Sequence, residues 1–501
     1  MAREQWGSRV GFILAAVGSA VGLGNIWGFP YRAFSNGGGA FFIPYLFALL
    51  TAGIPIMILE LAMGQKNQGA APLTFAKLNR KWEWLGWMQT FISFVIAVYY
   101  VAIIGWAIAY SYFSFSQAWG EDTKGFLFGN YLGVTSSQFE LGGLQLGVLV
   151  PLIIAWIVIY AALRGGVKKG IEFANKIFMP LLALFLVIIA IRGVTLPGAS
   201  QGLNFLFKPD FSRIFDFNVW TAAYGQIFFS LSICFAIMIT YSSYLPKKTD
   251  IVNNGFMVSL LNCSFSLLAG FAVFGVLGFM AQSQGVGVQD VAAGGVGLAF
   301  VVFPKAISMM PFAPGFFGFL FFTCLVFAGL SSAISINEAV LSGFMDKFSV
   351  SRKRAVNVYC VIAFVVSLLF ATGAGLLILD VVDHFIMQIA IVFAGLIEVI
   401  MVAWFFNLDS IKDHINPMSE FKVGAWWDFM LKIVTPLVLG YMGVNQLISD
   451  LTTNYGEYTT SAIVVFGWLV VLGTLVLGLT MQFIGWKDEK LLSPNVLNSQ
   501  S

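Results

Sequence analysis

Twelve runs of apolar residues follow one another along this chain, with charged or Gly/Pro-rich stretches between them. A helix that crosses the hydrocarbon core of a bilayer needs about 20 such residues, because no water is present there to pair with its backbone. The sequence therefore predicts an all-α polytopic membrane protein with twelve transmembrane helices. We number the runs as segments 1 to 12, and their approximate limits are 10–34, 39–64, 84–116, 144–163, 167–192, 217–245, 251–281, 314–343, 355–374, 378–405, 426–448 and 460–484.

Composition excludes several other classes of protein. Only 10% of the residues are charged, whereas soluble domains carry about 25%. The formal net charge of +3 gives no case for nucleic-acid binding. Two histidines, and four cysteines without a CxxC spacing, do not make a metal centre. No Ser-His-Asp grouping, P-loop or dinucleotide fingerprint points to an enzyme.

Lysines and arginines in the short loops predict the orientation. Cytoplasmic loops carry an excess of these residues, and here they cluster after segments 2, 4, 6 and 8. We therefore expect both termini in the cytoplasm, one domain over 1–484 in the plasma membrane, and a short cytoplasmic tail over 485–501. Residues 1–9 lack the layout of a signal peptide, so segment 1 should be retained. The sequence predicts no particular oligomer.

Segments 1 and 6 contain interruptions. Segment 1 has four glycines around Asn25, and segment 6 has the polar run 225–232 at mid-membrane depth. Close helix packing is one explanation of membrane glycines. Here, however, each interrupted segment is the first of a set of five, over about 10–192 and about 217–405, followed by two extra spans. This arrangement predicts an inverted repeat with a binding site at the two breaks, since unwound backbone is tolerated in a membrane only where it lines a cavity.

Several motifs in these segments resemble the neurotransmitter:sodium symporter family, with closest character to its bacterial members, such as the leucine transporter. They are the runs 18–25, Phe29-Pro30, 36–41, 98–100, 225–232 and 327–332. The resemblance implies sodium-coupled symport of a small molecule by alternating access between the two sides of the bilayer, with no catalytic residues.

The resemblance also implies a substrate pocket between segments 1, 3, 6 and 8. A substrate carboxylate would meet the backbone N–H groups of Leu23 and Gly24 and the hydroxyl of Tyr100, and Phe229 would act as a lid. Relatives that carry monoamines have an aspartate where this chain has Gly22, so an amino acid or amino-acid-like acid is expected. Ordinary packing is the alternative for the apolar members of the set. The expected set is Ser19, Ala20, Leu23, Gly24, Ile96, Tyr100, Phe229, Ser230, Ser232, Phe235, Ser332 and Ile336.

Two sodium sites follow from the same resemblance. A hard cation prefers oxygen ligands, and a substrate carboxylate at the first ion would couple the two binding events. The alternative for a buried Ser or Asn is a helix–helix hydrogen bond. The expected ligands are Ala20, Asn25, Ser230 and Asn262 at the first site, and Gly18, Val21, Ala328, Ser331 and Ser332 at the second.

Chloride dependence is a further expectation. Ser266 stands where chloride-independent bacterial members carry a carboxylate, and residues 251–282 contain no Asp or Glu. Two sodium ions beside a zwitterion leave positive charge that a nearby anion would balance. Hydrogen bonding between helices, or compensation by another carboxylate, is the alternative. The five chloride-type positions are Tyr45, Gln226, Ser230, Asn262 and Ser266.

Gates at both ends of the pocket also resemble the family. Arg3, Trp6 and Asp346 match its cytoplasmic latch, although Arg3 and Asp346 are alternatively two solvated surface charges. At the outer end, relatives have an arginine at the position of Gly28, whereas its carboxylate partner is retained as Asp383. Arg32 lies one helical turn beyond Gly28, so it either reaches Asp383 or serves as an interfacial anchor.

Three glutamates lie within segments, where an ionised carboxylate is costly unless it is paired or solvated: Glu60, Glu338 and Glu398. No role for Glu338 follows from the sequence. A proton-coupled carrier of an organic acid on the same fold, using Glu60 or Glu338, is the alternative within transport. A membrane-embedded enzyme or scaffold is the alternative from another class.

Overall fold

A computed structural model gives the structure of the chain and describes residues 3–291 and 294–492. These residues form helices joined by turns, and no strand occurs among them. Nine helices in this part of the chain are long and apolar enough to cross a membrane, or ten when the bent pair in segment 1 is counted as one span. The prediction of an all-α polytopic membrane protein is confirmed at this level. The predicted tail over 485–501 falls mostly outside the described residues.

The long helices follow the apolar segments. In chain order they are Arg9–Ala20 and Gly24–Ser35 (segment 1), Gly39–Asn67 (2), Arg80–Phe113 (3), Leu146–Thr195 (4 and 5), Phe217–Ser230 and Ile237–Ser242 (6), Ile251–Gln284 (7), Pro314–Phe348 (8), Arg352–Ala371 (9), Gly375–Phe405 (10), Ala425–Thr452 (11) and Thr460–Phe483 (12). Shorter helices lie in the connections: Ala71–Leu78, Ala199–Phe207, Gly295–Ser308 and Leu408–Ile415.

The sequence predicts a short loop between segments 4 and 5, but the structure has no loop there. Helical backbone runs from Leu146 to Thr195, and only Gly166 departs from it, with φ 74° and ψ −173°. A glycine adopts this conformation at little cost. The chain therefore changes direction at one residue, and Gly170 lies so close to Ala162 that a Cβ atom there would be 1.9 Å from the Ala162 carbonyl oxygen.

The break in segment 1 lies between Ala20 and Gly24, and the two helices on either side differ in direction by 54°. The second helix begins with a π turn over Gly24–Gly28 that ends two residues before Pro30. Proline donates no backbone hydrogen bond and its ring displaces the carbonyl one turn earlier, so a wider turn accommodates it. Pro55, Pro304 and Pro436 each follow a π turn by the same spacing.

The break in segment 6 is longer and leaves the helical region entirely. Residues 231–236 separate its two helices, and Ser232, Cys234 and Ala236 have φ values of 54°, 72° and 72°. Positive φ in residues other than glycine is strained, and neighbouring structure must hold it. The Ser232 hydroxyl donates to the Ser19 carbonyl over 2.9 Å. The two breaks therefore face each other in the centre of the protein.

Candidate substrate and ion sites

A cavity of about 200 Å³ lies between the breaks in segments 1 and 6, and segments 3, 8 and 10 and the start of the short helix Gly295–Ser308 complete its wall. Eleven of the twelve predicted substrate residues line it. They are Ser19, Ala20, Leu23, Gly24, Ile96, Tyr100, Phe229, Ser232, Phe235, Ser332 and Ile336. Ser230 is the exception, because its hydroxyl accepts a hydrogen bond from Asn262 instead of facing the cavity.

Segments 1 and 3 provide hydrogen-bond donors at one end of the cavity. The Leu23 N–H donates to the Tyr100 hydroxyl oxygen over 3.1 Å. Because the Leu23 N–H already donates to Tyr100, it is not free to bind a carboxylate in this structure. The sequence predicts a free N–H at this position. A substrate carboxylate that replaced the Tyr100 oxygen as acceptor would accept hydrogen bonds from both the Leu23 N–H and the Tyr100 O–H.

Two glycines in the break leave no room for side chains. A Cβ atom on Gly22 would lie 2.9 Å from the Tyr100 hydroxyl and 3.0 Å from Ser332 Oγ. A Cβ atom on Gly24 would lie 1.9 Å from the ring of Phe229. The ring of Phe229 thus rests directly on the break in segment 1, in the position predicted for a lid.

The sequence does not predict the remaining residues of the wall, which include Trp27, Tyr99, Ile103, Gly295, Val296, Leu379, Asp380 and Met387. A signal for Asp380 was present, since it lies three residues before Asp383 and shares its helix face. The Tyr99 hydroxyl donates to Asp383 Oδ1 over 2.6 Å. Tyr458 donates to Asp380 Oδ2 over 2.7 Å. Two carboxylates therefore border the cavity on its segment 10 side.

Arg32 and Asp383 do not form an ion pair within 4.0 Å in the described structure. The Arg32 guanidinium instead lies over the ring of Phe229, 5.9 Å from its centroid. Its Nη1 is buried and has no hydrogen-bond partner among the described residues. The shifted outer gate therefore stays a prediction for a more closed conformation.

The four predicted ligands of the first sodium site lie together. Asn25 Nδ2 donates to Asn262 Oδ1 over 2.8 Å, and Asn262 Nδ2 donates to Ser230 Oγ over 3.0 Å. The same Asn262 oxygen lies 3.2 Å from the Ala20 carbonyl oxygen and 3.1 Å from that of Ser230. Rotating the amide would turn these contacts into hydrogen bonds. In the rotated orientation Asn262 Nδ2 donates to both carbonyls and its oxygen accepts from Ser230 Oγ, so the four predicted ligands belong to one buried polar group.

The predicted second sodium site joins segments 1 and 8. Ser332 Oγ donates to the Gly18 carbonyl over 3.2 Å, and Ser331 Oγ donates to that of Ala328 over 3.0 Å. Val21, the fifth expected ligand, begins the break directly after Ala20. Sequence reasoning missed Asn175 of segment 5. Its buried Oδ1 has no hydrogen-bond partner among the described residues and lies 2.4 Å from where a Gly18 Cβ would be.

The five predicted chloride positions are all buried next to the first sodium site. Asn25 connects the two groups, because its amide donates to both Asn262 and Ser266, the latter over 2.9 Å. The Tyr45 hydroxyl donates to Cys263 Sγ over 3.2 Å and also faces Ser230 and Ser266. Gln226 Nε2 donates to the Gly24 carbonyl over 3.4 Å. Hydroxyl and amide donors without a fixed carboxylate suit an anion.

The cytoplasmic latch is closed. Arg3 Nη1 donates to both carboxylate oxygens of Asp346, over 2.8 and 2.9 Å, with each side chain 15% exposed. Trp6 is buried and its Nε1 donates to the Tyr241 carbonyl over 2.8 Å. Gly7 N–H and the Ser8 hydroxyl both donate to Glu172. Residues 3–8 thus connect segments 5, 6 and 8.

Glu338 has a defined position in this latch that the sequence did not reveal. Arg352 donates to its two oxygens over 2.8 and 2.7 Å, and the Tyr244 hydroxyl donates to it over 2.5 Å. Arg352 also pairs with Glu4 over 2.7 Å, and Glu4 in turn accepts the Val167 N–H, just after the Gly166 turn. Glu338 is therefore an ion-pair partner.

Comparison with known proteins gives the family. Residues 3–131 and 121–488 match the profile of the Sodium:neurotransmitter symporter family. The chain belongs to this family. The motif resemblance seen in the sequence is thereby confirmed.

Relatives within the sodium:neurotransmitter symporter family match over most of their length. An uncharacterised sodium-dependent transporter of Methanocaldococcus jannaschii is 45% identical over 482 residues, which cover 96% of this chain and 98% of the relative. The sodium- and chloride-dependent GABA transporter 2 of Rattus norvegicus is 32% identical, covering 95% of this chain and 85% of the relative. The sodium- and chloride-dependent taurine transporter of Bos taurus is 31% identical, covering 95% and 83%. The chain is thus a member of a sodium-dependent transporter family, and these comparisons give no indication of an enzyme.

Proposed function

We propose that this protein is a symporter that couples the inward movement of an amino acid, or an amino-acid-like carboxylate, to a sodium gradient. One observation carries the proposal: the Leu23 and Tyr100 donors of the cavity lie in the same break as Ala20 and Asn25, which face Asn262 and Ser230. A carboxylate bound by those donors would share the break with the ion. Binding of solute and sodium is then coupled, and the coupling acts equally in both directions.

Gly22 supports a solute that carries its own carboxylate. The space beside Gly22 is filled by the Tyr100 and Ser332 hydroxyls, so the aspartate that serves monoamine carriers has no room here. Relatives named for GABA and taurine also carry solutes with one amine and one acid group.

We propose twelve spans arranged as an inverted repeat, with segments 1–5 and 6–10 as its halves and segments 11 and 12 added. Segments 4 and 5 count as two spans because Gly166 interrupts their shared helix, and the broken segment 6 counts as one. The two breaks then occupy the same position in each half. We place the protein in the plasma membrane with both termini in the cytoplasm, following the basic loops.

The test is a thermal-shift screen of the purified protein with the twenty amino acids, GABA and taurine, each with and without sodium. We expect at least one of these zwitterions to raise the melting temperature in sodium and not in choline. Uptake of that solute into proteoliposomes should then require an inward sodium gradient. Uptake that is equal in choline and driven by a proton gradient would instead support the proton-coupled carrier. No accumulation of any solute would contradict transport.

Chloride is the finer part of the proposal. Ser266 is buried between Asn25 and Asn262. A fixed negative charge at position 266 would therefore lie next to the proposed first sodium site. We expect uptake to fall when gluconate replaces chloride, because the positive charge of the ions then lacks compensation. Ser266→Glu should restore uptake in gluconate, whereas Ser264→Glu, on the exposed face of the same helix, should not. Full wild-type activity in gluconate would contradict chloride dependence.

A further inference from the structure

Two buried carboxylates lie behind the break in segment 6, outside the sites described above. Glu60 comes from segment 2 and Glu398 from segment 10, and both side chains are 0% exposed. One oxygen of each, together with Cys234 Sγ from the break, lies within 4.8 Å of the other two atoms. Two helices and the break in segment 6, which are distant in sequence, therefore bring two acidic groups and a thiol to one point.

Each carboxylate is held by a single neutral donor. Glu60 Oε1 accepts the Cys234 backbone N–H over 2.5 Å, and Glu398 Oε2 accepts Gln89 Nε2 over 2.5 Å. Glu60 Oε2 and Glu398 Oε1 are buried and have no hydrogen-bond partner within the described ranges. No Lys, Arg or His side chain of the described residues lies within 4.0 Å of either carboxylate. Among titratable groups, only Cys234 faces the pair.

Two ionised carboxylates cannot both persist in such a place. Burial removes their hydration, and like charges at this separation repel each other in a dry environment. A proton on one carboxyl removes one charge, and its O–H can donate to the other carboxylate when the two groups approach to hydrogen-bond distance. We propose that Glu60 and Glu398 form a proton-binding site, in which one shared proton holds the break in segment 6 against segments 2 and 10.

The proton would act on the cavity through Cys234. This residue has φ 72° and lies between Ser232 and Phe235, which both line the cavity. Glu60 keeps the strained turn in place by accepting the Cys234 N–H. Loss of the proton makes the two carboxylates repel, so the glutamates separate and the turn loses its support. The conformation that binds sodium should therefore be less stable at alkaline pH.

Infrared spectroscopy of the purified full chain in lipid nanodiscs tests for the proton directly. The C=O stretch of a protonated carboxyl is separate from the bands of an ionised carboxylate. We expect this band in the wild type at neutral pH, its loss in the double variant Glu60→Gln/Glu398→Gln, and its retention in Glu140→Gln, which changes an exposed loop glutamate. Absence of the band in the wild type, or a stoichiometric divalent metal such as zinc in its place, would overturn the proposal.

The effect on function is measured as stabilisation by sodium ions alone, which needs no knowledge of the solute. In the wild type the sodium-induced rise in melting temperature should decline as the pH increases and the carboxyl band disappears. Glu398→Gln leaves one carboxylate and no like-charge repulsion, so its response should be flat over the same pH range. The same alkaline decline in Glu398→Gln would refute the idea.

If the glutamine variants do not fold, the wild-type protein alone still tests the proposal. The wild type alone must then lose the carboxyl band and the sodium response over one common pH range, and two separate ranges would contradict the proposal. The inference goes beyond the proposed symport and does not depend on its solute. A protein that transports nothing would still show the carboxyl band, so failure of one proposal is distinguishable from failure of the other.

Discussion

Asn262 is the residue on which most of the proposed ion chemistry converges. Its side chain touches Asn25, Ser230 and the Ala20 carbonyl, which come from the two broken segments. Ser332 has a similar position at the second site, where its hydroxyl contacts the carbonyls of Gly18 and Ser19. Asn262 belongs to the first proposed sodium site and Ser332 to the second, so the two sodium sites can be tested separately, although Asn262 is also one of the predicted chloride positions.

We expect Asn262→Ala and Ser332→Ala each to weaken sodium binding, because a buried ion loses one of its oxygen ligands. A buried polar group without its partner costs about 1–3 kcal/mol, so the sodium concentration for half-maximal thermal stabilisation should increase about 5- to 150-fold. Ser264→Ala is the control, since this hydroxyl is on the exposed face of the helix that carries Asn262. Wild-type sodium titrations in both variants would show that the assigned ligands are wrong.

His414, in the short helix Leu408–Ile415, gives a prediction about acid stability. Burial, with Lys66 and Lys247 nearby, lowers the pKa of His414 to about 4. The unfolded chain binds this proton near the ordinary histidine pKa of about 6.5, whereas the folded protein does not. Stability should therefore fall as the pH decreases from about 6.5 to 4, because protons favour the unfolded state in this range. We expect a smaller fall in melting temperature for His414→Gln; an identical pH profile would contradict this assignment.

At the scale of the helix, close approach explains several glycines better than flexibility does. Gly64 in segment 2 faces the second half of segment 6, and a Cβ atom there would lie 1.9 Å from the Ile239 carbonyl oxygen. The two helices can move apart only by disturbing the break above them. Gly440 in segment 11 has no atom within 4 Å of the corresponding position.

This contrast makes a matched pair of variants. Gly64→Ala should destabilise the protein by about 1–3 kcal/mol, since overpacking forces the backbone to shift. Gly440→Ala should be neutral or stabilising by about 0.5–1 kcal/mol, because alanine is the better helix former and has space there. Thermal unfolding in one detergent measures both. Equal melting temperatures for the two variants would show that the contact at Gly64 is not tight.

The sequence predicted helices better than the contacts between their ends. Apolar runs located the helices because a lipid-facing helix must be apolar along its length. The missing loop at Gly166 was not predictable, since a Gly-Gly pair beside basic residues also fits an ordinary turn. Family position brought Asn25 and Asn262 together correctly. Family position predicts no role for Glu338. Its partner Arg352 lies at the start of the next helix, and the sequence identifies Arg352 only as one of the basic residues that indicate orientation.

On the scale of the whole molecule, ion pairs among the described residues join the elements at the end of the cavity near residues 3–8, whereas Arg32 and Asp383 at the opposite end do not pair. Arg3–Asp346 and Arg352–Glu338 join the N-terminal residues and segments 8 and 9 below the cavity. Above it, Asp383 has a tyrosine as its partner, and Arg32 stacks on Phe229. Alternating access requires this outer side to close when the inner pairs open.

A charge exchange tests whether Arg32 and Asp383 meet in that closed form. Arg32→Asp and Asp383→Arg should each reduce sodium-driven uptake, and the double exchange should restore most of it, because opposite charges again face each other. Arg213→Asp, which reverses the charge of a partly exposed loop arginine, is the control and should leave uptake unchanged. No recovery in the double exchange would show that Arg32 is an interfacial anchor.

The contacts of residues 3–8 have a practical consequence for anyone who wishes to control this protein from outside. Residues 3–8 contact the ends of segments 5, 6, 8 and 9, and none of them lines the cavity. An antibody fragment raised against this stretch, or a bulky domain fused in front of it, would compete for the same groups and force the inner side open. A fluorophore pair that connects residue 5 to the loop after segment 8 would report that opening in single molecules, with no substrate present.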